Sequence, residues 1–365
     1  MLSILDQMDY CDSIDPLSMR RLIQSFPDQV RDAAQRALSI SLPRPGGVAN
    51  IVITGLGGSA IGGDVVGTAV GQYLRVPLIV NRDYRLPGFI SNLSMVFASS
   101  YSGNTEETLS AFQQAYDSGA FLVCFSSGGK LADAAQERRL PLIRLPGGFP
   151  PRAALGYSSI AMLGALQSLG LVPDQASALS ETVEVLDSIA ERIGPAVDES
   201  RNPAKSLARS LHGKIIAIYG SNGLLSPAAA RWRGQIEENA KNLALHHLLP
   251  EMNHNELVGW ECPESCLRSV AVVFLRDKED YPQVQHRFEL TRDIVKQAAG
   301  TVQEVWSEGK SLLARIFSVI YFGDYVSLYL SYLNGKDPVP VQVIERLKRE
   351  LGRGAARDGN TNSHP

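Results

Sequence analysis

The sequence predicts an α/β protein made of two doubly wound parallel sheets. Two observations carry this. Short apolar runs alternate with helix-period segments along most of the chain, which is the pattern of strand–helix–strand units. IVITGLGGSA at 51–60 is also echoed by IIAIYGSNGL at 215–224: an apolar run, a glycine turn and a helix start. That spacing is too long for a solenoid and fits two subdomains of similar design. A chain of 365 residues has room for two domains.

The elements follow in order. Residues 1–45 read as a helical arm, with helix starts at Asp15-Pro16 and Pro27-Asp28 and a breaker-rich link, Leu42-Pro-Arg-Pro-Gly-Gly47. The first subdomain is placed at 46–195. Val48–Thr54 is a strand ending in Gly55, and a helix-like stretch runs on to Tyr73. Pro77–Val80, Ser94–Ala98, Phe121–Phe125 and Pro141–Leu145 are strand-like, with helices at Glu106–Ser118 and Gly129–Arg139. Residues 151–212 are mostly helical, broken at Pro173 and Gly194-Pro195. The second subdomain is placed at 200–345. Its strands are Lys214–Tyr219, Ser269–Leu275 and Thr301–Val305, and its helices span about Pro227–Leu243, Gln283–Ala298 and Ser311–Asn334. Residues 346–365 form a helix end, near Leu351, and a polar tail from Gly352 that is expected to be disordered. A cleft between two such subdomains is a common place for a small-molecule site.

Composition removes several classes. With 44% hydrophobic and 20% charged residues, the chain is not largely disordered. Lys and Arg number 35 against 38 Asp and Glu, so no basic excess draws nucleic acid. No uninterrupted apolar stretch reaches the ~18 residues of a membrane helix. The N-terminus, MLSILDQMDYCDSIDP, carries acids where a signal peptide needs bases, so a cytoplasmic protein is expected. Four cysteines make no disulfide scaffold. Cys262 and Cys266, with His246, His247 and His254 nearby, make a metal site conceivable. No second pair has ligand spacing, so reduced thiols and no metal are expected.

Two glycine-bearing turns carry the chemistry. Gly55-Leu-Gly57-Gly58-Ser59-Ala60 satisfies the dinucleotide fingerprint, and Asp83 follows near the end of the next strand. This keeps an NAD-linked oxidoreductase open. The same residues also serve as a phosphate-gripping turn, or only as a tight turn. The second motif, Ser99-Ser-Tyr-Ser-Gly-Asn-Thr-Glu-Glu-Thr108, follows a strand and opens a helix. It brings the hydroxyls of Ser100, Ser102 and Thr105 to a helix N-terminus, where free N–H groups and the helix dipole favour an anion. A cap by Asn104 or Thr105 explains one hydroxyl but not the cluster. Neutral donors suit a phosphomonoester that must be bound and then released.

GLGGSAIGGD and SSYSGNTEET together resemble the phosphosugar-binding segments of the sugar isomerase (SIS) domain family. PPRAALGY (150–157), RWRGQIEENAK (231–241) and LPEMNHNEL (249–257) narrow the likeness to the bifunctional phosphoglucose/phosphomannose isomerases, over about residues 45–345. The resemblance implies two flavodoxin-like SIS subdomains and phosphate binding by Gly58, Ser59, Ser100, Ser102 and Thr105. It puts Arg152 by the C1–C2 region of the sugar; by itself a lone loop arginine is ordinarily solvated. It makes Glu238 of E-N-A-K the general base. Neighbouring helix residues point about 100° apart, so at most one of Glu237 and Glu238 faces a cleft well, the other pairing with Arg231, Arg233 or Lys241 at the surface. His254, in a polar loop and with an ordinary pKa near ~6.5, is implied to open the sugar ring from the partner subunit of a homodimer. Lys310 is implied near the ring oxygen. Gln303, seven residues earlier, resembles the conventional phosphoglucose isomerases, whereas the best-known bifunctional members have Thr; this bears on the mannose activity. The reaction implied interconverts glucose 6-phosphate and fructose 6-phosphate through a cis-enediolate, without cofactor. A non-catalytic phosphosugar sensor of the SIS family stays as an alternative, although no DNA-binding module is visible.

Overall fold

The computed structural model describes residues 3–358, with side chains as far as Leu351. Three helices form the arm: α1 (Met8–Ile14), α2 (Met19–Gln24) and α3 (Phe26–Ala37). The Asp15 carboxylate accepts from the amides of Met19 (2.7 Å) and Arg20 (2.8 Å), so this residue starts α2 as its sequence suggests. Phe26 stacks on Phe317 of the core, with ring centroids 5.6 Å apart.

The first sheet then builds up through β1 (Asn50–Thr54), α4 (Gly58–Val70), β2 (Leu78–Asn81), β3 (Ser94–Ser99), α5 (Glu106–Asp117), β4 (Phe121–Ser126), α6 (Gly129–Glu137) and β5 (Leu142–Arg144). Its order is β2-β1-β3-β4-β5 with every pair parallel, the flavodoxin order. Strands β1 and β3 are buried throughout, which is why they read as unbroken apolar runs. Helices α7 (Leu155–Ser168), α8 (Ala176–Ile193) and α9 (Pro203–Leu211) lead to the second sheet. There β6 (Ile215–Ser221), α10 (Ser226–Ala240), β7 (Ala244–Leu249), α11 (Glu264–Leu267), β8 (Val270–Arg276), α12 (Pro282–Val295) and β9 (Thr301–Trp306) give the all-parallel order β7-β6-β8-β9. The chain closes with α13 (Leu312–Leu333) and α14 (Gln342–Asp358).

The structure departs from the sequence reading in three places. Strand β7 was not expected. The helix before it stops at Ala240 because Lys241 turns left-handed (φ 52°), and ALHHLL pairs with β6 as an edge strand. His246 and His247 interrupt its apolar run, and an edge strand needs little burial, so its sequence signal is weak. Helix α14 continues to Asp358 instead of ending near Leu351; the expected disordered tail otherwise falls on residues 359–365, outside the described residues. Finally, α13 is long and apolar enough by composition to cross a membrane, yet 89% of its most apolar window is buried inside the protein. It is the central core helix, and it carries the buried Asp324 to the middle of the molecule.

Candidate active site

The switch in strand order between β1 and β3 opens a crevice at the carboxyl ends of the first sheet, because Thr54 lies beside Ala98 and the two chains leave in opposite directions. Ser59 stands in the first turn of α4 and Ser100–Thr105 in the loop before α5. A Cβ at Gly55 would lie 3.1 Å from the Ser59 Cβ and 2.7 Å from the Ser99 carbonyl oxygen, so the two loops abut. The Ser100 hydroxyl donates to the Thr105 hydroxyl (2.9 Å), and the Ser102 hydroxyl accepts from the Asn104 amide (3.3 Å).

Neither Asn104 nor Thr105 acts as a plain helix cap. No side chain caps α4 or α5. Asn104 turns away, accepting from the Lys130 amide (3.2 Å) and donating to the Ser102 carbonyl (3.1 Å). Two uncapped helix N-termini and a cluster of hydroxyls suit an anion. Gly103 has φ +70°, and a Cβ there would fall 1.8 Å from the Gly128 carbonyl, so only glycine lets this loop lie on the next one.

Beside this crevice the Gly57-Gly58 turn meets the loop before α7. A Cβ on Gly58 would sit 2.8 Å from the Pro151 carbonyl oxygen and 3.5 Å from the Arg152 Cα. A cavity of about 1010 Å³ opens here, lined by Gly57, Gly58, Arg152, Glu237, Glu238, Lys241 and the stretch 340–344 among others. Arg152 is 6% exposed and is no solvated loop arginine. Its Nε donates to the Asn239 Oδ1 (2.8 Å), and its Nη2 donates to the carbonyls of Pro338 (2.6 Å) and Val339 (2.8 Å). Its Nη1 lies 3.5 Å from the Glu238 Oε2. Burial pulls the guanidinium pKa down and the Glu238 carboxylate opposes this; an arginine stays charged regardless.

Glu237 and Glu238 both border the cavity, where at most one was expected to face it well. Helix α10 ends two residues later, at Ala240, so both stand in its last turn. Only Glu238 is paired with Arg152, while burial raises the Glu237 carboxyl against the pull of Arg233. Arg231 is no surface partner for either. It is buried against Asp324 (Nη2–Oδ2 2.7 Å, Nε–Oδ1 3.1 Å) and donates to the Arg152 carbonyl (3.0 Å). Nor is Lys241 such a partner: it closes α10 and its Nζ donates to the carbonyls of Glu238 (2.8 Å) and Asp337 (2.6 Å). Burial and the nearby Arg152 charge bring its ammonium down to about 8. Sequence reasoning passed over Asn239 and gave Lys241 only as a surface partner for the glutamates, although both stand in the E-N-A-K segment that pointed to Glu238.

Within one chain, His254 and Lys310 stay apart from this cavity. His254 ends a 3-10 turn after β7, Lys310 follows β9, and both are exposed. They lie at the carboxyl edge of the second sheet. Glu238, at the far end of α10, lies at the opposite edge, roughly 20 Å away by the length of that fifteen-residue helix. The lysines that border the cavity are Lys241 and Lys336. Gln303 sits within β9 opposite Val273 and does not border the cavity. The His254 loop is anchored through Glu256, which takes the Tyr219 hydroxyl and the His247 Nδ1 (2.6 Å). Just beyond β8, Asp277 is wholly buried, bound to the Ser307 hydroxyl (2.8 Å) and paired with Arg315 (3.1 Å).

Cys262 and Cys266 are exposed and free, and among the described residues no three His, Cys, Asp or Glu side chains form a metal-binding group. Asp83 stands exposed, two residues beyond the end of β2, near the strand end as the sequence suggests.

Two flavodoxin-ordered sheets, with an uncapped hydroxyl crevice beside a buried arginine that faces a half-buried glutamate, define a double-SIS protein. Residues 200–351 match the model of the bacterial phospho-glucose isomerase C-terminal SIS domain. The chain is 44% identical to a bifunctional phosphoglucose/phosphomannose isomerase of Caldicellulosiruptor bescii, over 90% of this chain and 97% of the relative. It is 37% identical to the enzyme of the same name from Aquifex aeolicus, over 84% and 91%. A crystal structure of a glucose-6-phosphate isomerase like protein from Thermus thermophilus shares the fold, with a TM-score of 0.61 at 20% identity over 94% of this chain and 98% of that one. The chain belongs to the bifunctional phosphoglucose/phosphomannose isomerase family.

Proposed function

We propose that the protein interconverts glucose 6-phosphate and mannose 6-phosphate with fructose 6-phosphate through a shared cis-enediolate. The observation that carries this is the Arg152–Glu238 pair at the cavity, a buried guanidinium facing a half-buried carboxylate, tied through Gly58 to the turn that bears Ser59. The first subdomain (46–195) anchors the phosphate on Gly58, Ser59, Ser100, Ser102 and Thr105. The second (200–345) supplies Glu238, which moves a proton between C2 and C1, while Arg152 Nη1 faces the developing oxyanion. The chemistry is two proton transfers and calls for no redox cofactor.

Opening the sugar ring needs an acid close to the ring oxygen, and His254 of the same chain lies at the wrong edge of its sheet. That geometry favours a homodimer in which the partner copy presents its His254 loop to this cavity. Lys310, on the same edge, would enter by the same route. The epimers differ only at C2, so one enediolate serves both when C2 can be reprotonated from either face. Gln303, like His254 and Lys310, does not border the cavity within one chain, so the mannose activity is decided by assay. A coupled assay with glucose 6-phosphate and mannose 6-phosphate side by side tests the reading. No turnover of either substrate overturns it.

A further inference from the structure

We propose that Asn239 is a positioning residue for this reaction: its side-chain amide fixes Arg152 so that one guanidinium nitrogen, Nη1, is kept for substrate beside Glu238. The inference rests on the roles given above to Arg152 and Glu238, and extends them to a residue that does not itself reach the sugar.

A guanidinium carries five N–H donors in a rigid plane, so three fixed contacts determine where the rest point. In Arg152, Nε is held by Asn239 and Nη2 by two backbone carbonyls. Nη1 alone faces Glu238, and at 3.5 Å that contact is too long for a strong hydrogen bond. The side of the guanidinium toward the cavity therefore remains available. Its backbone is fixed as well, because Arg231 grips the Arg152 carbonyl from its pairing with Asp324.

Asn239 is wholly buried, and its orientation is determined at both ends. A guanidinium only donates, so the atom facing it must be the amide oxygen. The amide nitrogen donates to the Ser327 hydroxyl (2.9 Å), which in turn donates to the Asp324 carbonyl (2.7 Å). The core helix α13 thus sets the amide, and the amide sets the arginine. The residue type matters too. A neutral acceptor leaves the charge of Arg152 to Glu238 and to the enediolate. A carboxylate here would neutralise that charge and repel Glu238.

The test measures kcat, KM and the pH dependence of kcat for the full-length wild type and for Asn239→Asp, with thermal melting as the check on folding. The isosteric carboxylate is expected to lower kcat by roughly 10–100-fold, at or below the ~10²–10³-fold seen when an oxyanion donor is lost outright, and to leave KM within about threefold because the phosphate anchor is untouched. The acid limb of kcat should also move up by about one pH unit, since a second anion near Glu238 favours its protonated form. An unmoved limb, or kcat within threefold of wild type, overturns the proposal; a purely structural asparagine alters melting without moving the limb. If Asn239→Asp does not fold, Asn239→Ala is compared in the wild type and in Arg152→Lys, which lacks the Nε donor. A loss of about tenfold or more in the first background and little in the second supports the coupling, and equal losses overturn it. An inactive wild type, or an active Glu238→Gln, defeats the isomerase reading instead, so the two failures are distinguishable.

Discussion

Gly58→Ala should damage catalysis more than stability. The added methyl would stand 2.8 Å from the Pro151 carbonyl oxygen, so the two backbones must separate by roughly half an ångström to reach ordinary contact. The obstacle is backbone, in the 3-10 turn Pro151–Ala153, and cannot swing aside like a flexible side chain. Its far end is tethered too, because Arg152 is bonded to Asn239, Pro338 and Val339. The strain therefore moves either Arg152 or the start of α4 with Ser59. A misplacement of about 1 Å can cost ~10² in rate, so a half-ångström shift should lower kcat/KM by roughly tenfold. Overpacking costs about 1–3 kcal/mol, offset by ~0.4–1 kcal/mol from the stiffer unfolded chain, so Tm should fall by only a few degrees. Coupled turnover of glucose 6-phosphate, with calorimetry on the same preparation, measures both. Wild-type kcat and KM in a folded Gly58→Ala protein would refute the argument that this contact ties the anion crevice to Arg152.

Glu238→Gln should abolish turnover while KM-level affinity for phosphosugar persists, measured by isothermal titration; retention of most of kcat would shift the base to Glu237. Mixing Glu238→Gln with His254→Ala should recover roughly a quarter of wild-type activity if the sites are shared across a C2 dimer, because half the dimers are mixed and each carries one intact site. No recovery despite demonstrated subunit exchange would refute the shared site. Ser100→Ala, by removing a donor to a charged group worth ~1.5–3 kcal/mol, should raise KM by roughly 10–100-fold and spare kcat. In the native protein at pH 8, a thiol reagent should titrate Cys262 and Cys266 quickly but not the buried Cys11 and Cys124. Burial disfavours the thiolate and holds Cys124 up at about 12, so its contribution to stability is present below about pH 9 and is lost as pH rises toward 12. Four fast thiols in the folded protein would contradict this.

How much was legible follows from how far each signal reaches along the chain. The parallel strands of both sheets announce themselves because burial on both faces demands unbroken apolar runs, as in NIVIT and SMVFAS. The exception is β7, an edge strand whose two histidines need no burial. The crevice was legible for the same local reason: hydroxyls and a glycine packed into seven positions at a helix start are a short-range pattern. The oxidoreductase reading shared its glycines, and it is the likeness to isomerases along nearly the whole chain that parts from it.

The sequence by itself determined the doubly wound class, the repeat of design at 51 and 215, the hydroxyl cluster at a helix start and, through resemblance, the family. Only the tertiary structure decided which cations and acids meet. Arg152 reaches Asn239 across 87 residues of chain, and Arg231 reaches Asp324 across 93. Nothing in the local pattern of either arginine separates a buried clamp from a solvated side chain. The structure likewise separated His254 and Lys310 from Glu238, although the histidine lies only sixteen residues further on in the sequence. The physical reason is the direction of a helix and a strand. Helix α10 carries Glu238 to one edge of the sheet, and β7 then carries the chain back to the other before His254 appears. Closeness in sequence across a βα unit is therefore distance in space.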